Sequence, residues 1–458
     1  MSTLPLIAHR RLDAVVAWRS SMQVSARQFL DEVEHIASQL PPGRHVLNLC
    51  SDRYRFTVAL AACIVSGRIS LLPSTHTPEM VRQMQCIAPD VFCIVDQGAV
   101  DKDGGGVDLP TFRYPESIPL PATNPAIPDI DCEQVIAQVF TSGSSGVPVP
   151  HVKRWGSLVC NVRAEAERLG IGAAHAILGT VPPQHMYGLE STVLMPLQSG
   201  AALHACRPFF PADICVALAS LPRPRVLVTT PYHLRALLAD QTTLPAVDQL
   251  LSATAPLSQD LANEAESRFD APLHEIYGCT ETGQLASRRT TTGAEWQTLP
   301  AVHLRREGKV IWAEGGHIDS PTCLADDIEL IGDGPVSTTF LLHGRHADLV
   351  NIAGKRTSLA YLNHQLNAIP GVQDGVFLLP REDSPDSIGR LAALVVAPGL
   401  TPAALTQALR ERIDPVFVPR PLLFVEALPR NATGKLPRQV TQELLATLQS
   451  RTATGMLA

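Results

Sequence analysis

VFTSGSSGVPVPHVK, residues 139–153, is the stretch on which the reading of this chain turns. It completes the apolar run Val135-Ile136-Ala137-Gln138-Val139-Phe140, which predicts a buried strand, and a helix is expected to begin after Lys153. Between them stand Gly143 and Gly146, the hydroxyl residues Thr141, Ser142, Ser144 and Ser145, and the prolines Pro148 and Pro150. Glycine lets successive N–H groups point into one concavity, and hydroxyls add donors without bulk, a combination that suits phosphate oxygens. The same composition also describes an ordinary connecting loop, so the stretch gains meaning only from its surroundings. It is not a Walker A loop. No Gly-Lys-Ser/Thr follows at the required spacing, and Gly434-Lys435-Leu436 lacks both the spacing and the hydroxyl, which disfavours a P-loop NTPase.

Working outward, Ser25-Ala26-Arg27-Gln28 has the form of a capping box, followed by Phe29, Leu30, Val33, Ile36, Ala37 and Leu40 at helical spacing. Residues 45–50, 69–72 and 91–95 predict strands, residues 54–66 a buried helix closed by Gly67, and Thr77-Pro78 an N-cap with a first-turn proline. Beyond the opening stretch a helix is expected over residues 155–169, strands over 176–181, 201–205, 225–229 and 249–252, and a helix capped by Ser258. This alternation predicts a mainly parallel, wound sheet. Residues 97–131 read as surface connection. Residues 296–334, with KVIWA at 309–313, carry the shorter runs of an antiparallel or barrel-like region.

FLLHGRHAD, residues 340–348, ends that region, and a boundary is expected near His346. Helices over residues 358–369 and 401–413 and strands over 376–379, 391–396 and 422–425 then form a small α+β unit. The expected architecture is α/β: residues 1–345 as a large domain of wound sheets with helices plus a small barrel-like region, and residues 346–458 as a smaller α+β domain. At 458 residues the chain exceeds what a single core supports.

Composition narrows the function classes. A net charge of −7 gives no electrostatic reason to expect nucleic acid or an anionic membrane. No apolar run has the length of a membrane span, and MSTLPLIAHRRLDAVV lacks the order of an export signal. The ten cysteines are scattered with no C-x-x-C pair, as in a reduced, cytoplasmic protein without a zinc site. Lysine occurs only as Lys102, Lys153, Lys309, Lys355 and Lys435, and three of these five fall in the segments singled out here.

Three further segments carry chemistry. PPQHMYGLE, residues 182–190, places His185 beside Met186 and Tyr187. HEIYGCTETGQ, residues 274–284, runs a strand into Gly278, which leaves room for close backbone approach, and then offers Thr280 and Glu281 together. A carboxylate beside a phosphate site requires a cation between them, which makes Glu281 a candidate magnesium ligand. LPRNATGKLPR, residues 428–438, sets Lys435 on a glycine-containing turn between Arg430 and Arg438, where it can act as a mobile point charge.

Taken in order, these segments resemble the adenylate-forming superfamily of acyl-CoA synthetases, aryl acid ligases and carrier-protein-loading adenylation domains. TSGSSGVP resembles the family's phosphate loop, PPQHMYGL its histidine-aromatic segment, and SATAPL, residues 252–257, its Gly/Ala-Pro-Leu stretch. YGCTETG resembles its Tyr-Gly-x-Thr-Glu motif, GRHADLVNIAGKR its linker, and LPRNATGK its terminal lysine motif. The resemblance implies that a carboxylate is joined to the α-phosphate of ATP and the acyl-adenylate then passes to a thiol, of CoA or of a carrier protein's phosphopantetheine. It assigns Thr141, Ser142, Gly143, Ser144, Ser145 and Gly146 to the β- and γ-phosphates, Thr280 to the α-phosphate, Glu281 to Mg2+, and Tyr277 with Gly278 to the adenine side. Asp326, with Asp327 as alternative, and Arg345 would hold the ribose. Lys435 would bridge carboxylate and phosphate, and Gly354 would line the thiol channel opened when the small domain turns. His185, Met186 and Tyr187, with Ser252, Ala253, Thr254 and Ala255, would shape the acid pocket.

Two positions depart from the family pattern. Val149 replaces the usual lysine after the loop proline, which leaves phosphate neutralisation to Lys153 or to main-chain N–H groups, and Ala347 replaces a charged hinge residue. The PVPHVKRW stretch and the short N-terminal part look most like small bacterial AMP-ligases of aryl polyene and xanthomonadin-type pigment synthesis. The leading expectation is thus a ligase for a small aryl acid such as 4-hydroxybenzoate. A fatty or hydroxyacyl ligase loading an acyl carrier protein is the alternative, and a non-catalytic adenylate-binding protein the third reading.

Overall fold

Ser25 caps the helix Ala26–Gln39 as its spacing predicts: its hydroxyl accepts from the Gln28 N–H at 3.2 Å, and the Gln28 side-chain carbonyl accepts from the Ser25 N–H at 2.9 Å. Asp52 caps the next helix, Arg53–Val65, whose residues are buried nearly all round. These elements belong to a computed structural model that describes residues 2–73, 76, 78–96, 109–118, 124–142, 148–240, 242–345, 349–352, 355–379, 391–413, 415–431 and 434–454. Thr77, Gly143 to Val147, His346, Ala347 and Gly354 lie outside the described residues, as do the side chains of Thr141, Ser142 and Arg345.

The chain divides into two compact units, residues 1–323 with 332–339, and residues 324–331 with 340–458. In the first, one sheet has the strand order Pro148–Arg154, Val135–Ser142, Ile69–Leu72, His45–Asn48, Phe92–Val95 and Thr111–Arg113, with all neighbours parallel except the first pair. A second sheet runs from Trp296–Thr298 through Gly283–Arg288, Leu273–Cys279, Gln249–Ser252, Arg225–Thr229, Ala176–Gly179, Ala202–His204 and Val15–Arg19 to Met22–Ser25. Its middle strands are parallel and its flanks antiparallel. One apolar core joins both sheets through the helices Arg53–Val65 and Trp155–Leu169. The expected α/β alternation therefore builds two sheets. Val302–Glu307 pairs antiparallel with Val310–Gly315 and Val336–Ser337, where the sequence suggested a barrel-like region.

Two segments differ from the sequence reading. Residues 97–131 were expected to be connection, but Thr111–Arg113 extends the first sheet and Asp129–Asp131 pairs with Thr3–Pro5. Three-residue strands are too short to display a period, and remote partners define them. The second half of the opening stretch is also a strand, Pro148–Arg154, paired back onto Val135–Ser142. It lies at the sheet edge, where Pro148 and Pro150 are tolerated because a missing donor breaks no central ladder.

In the second unit, Asp326–Leu330 and Thr339–Arg345 form an antiparallel hairpin, and on compactness this unit begins upstream of residue 346. A sheet of Asp374–Leu378, Ala392–Val396 and Leu422–Phe424 follows. One face, with Phe377, Ala393 and Val395, packs on the helices Leu359–Asn367 and Pro402–Arg410; the other, with Val376, Leu378 and Leu394, packs on Leu445 of the helix Arg438–Thr454. Alternation along each strand thus supplies both apolar faces. Among the described residues no helix is long and apolar enough to cross a membrane.

Arg53 locks the first unit. It is wholly buried, and its Nη2 donates to the carbonyls of Gly179 at 2.8 Å and Val181 at 2.9 Å, while burial lowers its pKa to about 9. Truncating it leaves those carbonyls without their donor, so Arg53→Met is expected to cost roughly 2–5 kcal/mol and to lower the urea midpoint of the intact protein. An unchanged midpoint would contradict this role.

Candidate active site

Two hairpins build the site in the first unit. Pro148–Arg154 returns along Val135–Ser142 with Val149 opposite Thr141 and Lys153 opposite Ala137. Leu273–Cys279 turns through Thr280, Glu281 and Thr282 into Gly283–Arg288. Close pairing of the second hairpin explains Gly278: a Cβ there would lie 2.3 Å from the Gly283 carbonyl and 2.8 Å from the Gln284 Cα. Glu275 stiffens the same strand. Its carboxylate accepts from Arg288 Nε at 2.8 Å and Thr290 Oγ1 at 3.0 Å, and from the Leu257 N–H at 3.3 Å, which ties down the 252–257 loop.

Lys153 joins the two hairpins. Its Nζ donates to the carbonyl of Thr280 at 2.5 Å and to that of Glu281 at 3.3 Å, and the residue is only 8% exposed. Burial lowers the pKa of this ammonium, and the charge of Glu190 acts against that. The phosphate-facing role raised for Lys153 in the sequence competes with these main-chain contacts. Val149, which stands where the family has lysine, is exposed.

Glu281 keeps a half-exposed carboxylate 3.9 Å from His151 Nε2. Burial pushes its pKa up, but hydrogen bonds from its own backbone and Cys279, together with the charges of His151 and Lys153, hold it below the usual value. Tyr277 is buried and meets the Trp296 ring edge-on at 5.7 Å, which fixes its plane. Ala253 and Ser252 are buried at the end of Gln249–Ser252, and Thr254 holds a φ of +79° in the bend that follows.

His185 caps the short helix Met186–Leu189 by accepting the Tyr187 N–H on Nδ1 at 3.3 Å. Gly188 permits the tight approach beneath it, since a Cβ would lie 1.9 Å from the Pro182 carbonyl. The chain continues into one π-helical segment, Glu190–Leu194, of a kind often found at functional sites. Met186 and Tyr187 are both buried.

The segment carries a buried polar cluster that the motifs did not reveal. Ser191 Oγ donates to Glu165 Oε1 at 2.6 Å, Gln284 Nε2 donates to Ser191 Oγ at 2.8 Å, and Asn161 Nδ2 donates to the Gln284 carbonyl at 3.0 Å. Burial raises Glu165 to about 7 and Glu190 to about 8, the second tempered by Lys153. A signal existed: Asn161 and Glu165 sit one turn apart on the helix face otherwise formed by Leu158, Val162, Ala166 and Leu169. A cavity of about 230 Å³ opens here, lined by Lys153, Asn161, Met186, Glu190, Glu281 and His317 among others.

The remaining expected residues belong to the second unit. Asp326 is buried and faces Arg345 across the hairpin register. Lys435 is exposed on a turn closed by its own N–H to Asn431 Oδ1 at 2.9 Å and by the Asn431 N–H to its carbonyl at 2.8 Å. Arg430 braces that turn, donating to the Gly434 carbonyl and to both oxygens of Asp374, each at 2.6 Å.

Comparison with known proteins agrees with this architecture. The sequence profile of the AMP-binding enzyme family matches residues 7–310. A 4-coumarate–CoA ligase of Rhodobacter capsulatus is 31% identical over 301 residues, 64% of this chain and 73% of that protein. A 3-hydroxybenzoate–CoA/4-hydroxybenzoate–CoA ligase of Thauera aromatica is 24% identical over 356 residues, 68% and 67% of the two chains. Among solved structures, the anthranilate CoA ligase AuaEII in complex with anthranoyl-AMP superposes with a TM-score of 0.80 at 15% identity, covering 98% of this chain and 99% of its own, so the fold is that of the adenylate-forming enzymes. With the profile spanning both hairpins of the site, the chain belongs to the AMP-binding enzyme family.

Proposed function

We propose that this protein is an AMP-forming acid:thiol ligase that activates a small aryl acid, 4-hydroxybenzoate or a close analogue, and passes it to CoA. The observation that carries the reading is the Thr280–Glu281 turn, held by the Lys153 ammonium beside a cavity of about 230 Å³. That volume lies below the roughly 300–1,000 Å³ of sites for drug-sized ligands. Relatives named as coumarate and hydroxybenzoate CoA ligases support the aryl preference.

In the first step a carboxylate oxygen bonds to the α-phosphorus of ATP, and the bond to the bridging oxygen breaks to release pyrophosphate. In the second, the thiol sulfur attacks the acyl carbonyl, its proton is lost, and AMP leaves with the carboxylate oxygen. The protein's task in the first step is to meet charge that grows on phosphate oxygens with donors already in place. In this reading Thr280 donates to the α-phosphate, the 141–146 loop holds the outer phosphates, Tyr277 borders adenine, and Asp326 with Arg345 binds the ribose. Glu281 fits a magnesium ion carried with ATP, because Mg2+ commonly takes one or two carboxylates alongside phosphate oxygens, and the ion would supply charge neutralisation there. Lys435, on its braced turn, contacts carboxylate and phosphate during activation.

Acid-dependent exchange of labelled pyrophosphate into ATP tests the reading, using hydroxybenzoates, cinnamates, fatty acids and amino acids. Exchange is expected with ring acids, and exchange confined to fatty acids would overturn the substrate assignment. Lys435→Ala should abolish exchange while leaving thioester formation from supplied aryl-adenylate and CoA largely intact; equal loss of both steps would remove its assigned role.

Lys153 is expected to act by holding the Thr280–Glu281 main chain. Lys153→Met should then lower kcat for adenylation by about 10–100-fold, the scale of a small misplacement of reacting groups, with little change in the KM for ATP. A rise in KM alone would instead mark Lys153 as a phosphate contact.

A further inference from the structure

Lys435 stands on a turn of the second unit whose main chain is held at several points. Its N–H donates to Asn431 Oδ1 at 2.9 Å, its carbonyl accepts the Asn431 N–H at 2.8 Å, and the Gly434 N–H donates to the Asn431 carbonyl at 2.9 Å. Gly434 is buried at a φ of +77°, a left-handed conformation that glycine takes without strain. The flanking leucines, Leu428 and Leu436, pack on the sheet face of Val376 and Leu378 together with Leu445. Apolar burial therefore fixes the ends of the turn, and polar contacts set the orientation of its tip.

Arg430 connects that tip to the sheet. Its Nη1 donates to the Gly434 carbonyl, while Nε and Nη2 donate to Oδ2 and Oδ1 of Asp374, all three at 2.6 Å. One planar guanidinium thus grips a carboxylate with two parallel bonds and still reaches a carbonyl, a geometry that the compact point charge of lysine does not reproduce. The two side chains are only 16% and 17% exposed, so salt and water screen their pairing less than at an open surface. Asp374 is anchored in turn. It opens the strand Asp374–Leu378 opposite Val396, its Oδ1 accepts the Gly375 N–H at 3.0 Å, and Asn367 Nδ2 donates to the Gly375 carbonyl at 2.8 Å.

A polar path therefore runs from the sheet through Asp374, Arg430 and Gly434 to the main chain of Lys435, joining residues 56 positions apart. The ammonium of Lys435 sits at the end of a flexible four-carbon stem, so any tilt of the turn displaces it further than it displaces the backbone. Fixing the base is what the fold can do for such a group.

We propose that Asp374 and Arg430 are positioning residues of the adenylation step: they orient the tip from which Lys435 reaches carboxylate and phosphate, and touch neither themselves. The inference rests on the role proposed for Lys435 and adds the residues through which the fold enforces it. Their loss falls on acid activation and spares transfer to the thiol, in which Lys435 has no part.

The test uses the full chain with Arg430→Met, Arg430→Lys and Asp374→Asn in two assays, acid-dependent pyrophosphate exchange and thioester formation from supplied aryl-adenylate and CoA. Arg430→Met and Asp374→Asn are expected to lower kcat for exchange by about 10–100-fold, the scale of a small misplacement of reacting groups, with KM for ATP and acid near the native values. Arg430→Lys should rescue little of the loss, because one ammonium does not serve the Asp374 carboxylate and the Gly434 carbonyl together; full rescue would contradict the fork geometry. Thioester formation should keep its native rate, a result that a general loss of folding would not allow. Asp374→Asn keeps the side chain's shape and carries the test if Arg430→Met does not fold. Native exchange, or equal loss of both steps, in Asp374→Asn would overturn the inference, whereas exchange retained by Lys435→Ala would overturn the lysine role on which it rests.

Discussion

The contact between the Lys153 ammonium and the carbonyls of Thr280 and Glu281 is the constraint on which the first unit's site depends. It ties the edge hairpin of one sheet to the hairpin of the other, although the residues lie 127 and 128 positions apart. Removing a lysine from water is costly unless its charge is met by hydrogen bonds and countercharge. The carbonyls and the nearby Glu190 meet that requirement, and the turn bearing Thr280 and Glu281 is fixed as a result.

The arrangement accounts for the chemistry expected of the turn. In the proposed reaction the Thr280 hydroxyl would meet developing phosphate charge directly and the Glu281 carboxylate only through a cation, and both must do so without rearranging, because stabilisation by groups already oriented needs no reorganisation during the reaction. Lys153 holds their main chain from behind, Gly278 allows the strands to close, and the Glu275–Arg288 pair at 2.7 Å braces the strand leading in. Behind the turn, Glu165 and Glu190 face each other's charge in a dry setting, so burial and mutual repulsion both push Glu190 up while Lys153 pulls it down. The polar floor of the cavity is therefore built by the same residues that steady the turn.

Much of this was legible in the sequence, and the exceptions have physical causes. Capping at Ser25 and Ser258, the alternating strands and helices, the small α+β unit and the Tyr-Gly-x-Thr-Glu turn all rest on local spacing, which a single sequence displays. Pro148–Arg154 was hidden because two prolines argue against a strand until its edge position is known. Lys153 was visible as a rare residue, but its carbonyl partners were not, since main-chain acceptors have no sequence signature. Asn161 and Glu165 were readable as polar intrusions on an apolar helix face, yet only the fold joins them to Ser191, Glu190 and Gln284. Gly278 was marked as a point of close approach, and the approaching group is now identified as Gly283, whereas the close approach of Pro182 to Gly188 shows only in the fold.

The central claim is that the acid is carried through an adenylate, and the most direct measurement follows the acid's own oxygen. With the substrate carboxylate labelled in both positions by ¹⁸O, a single turnover in the presence of ATP and CoA should place one labelled oxygen in AMP and leave the other in the thioester. Label in pyrophosphate or inorganic phosphate, or AMP formed without label while thioester accumulates, would contradict the account.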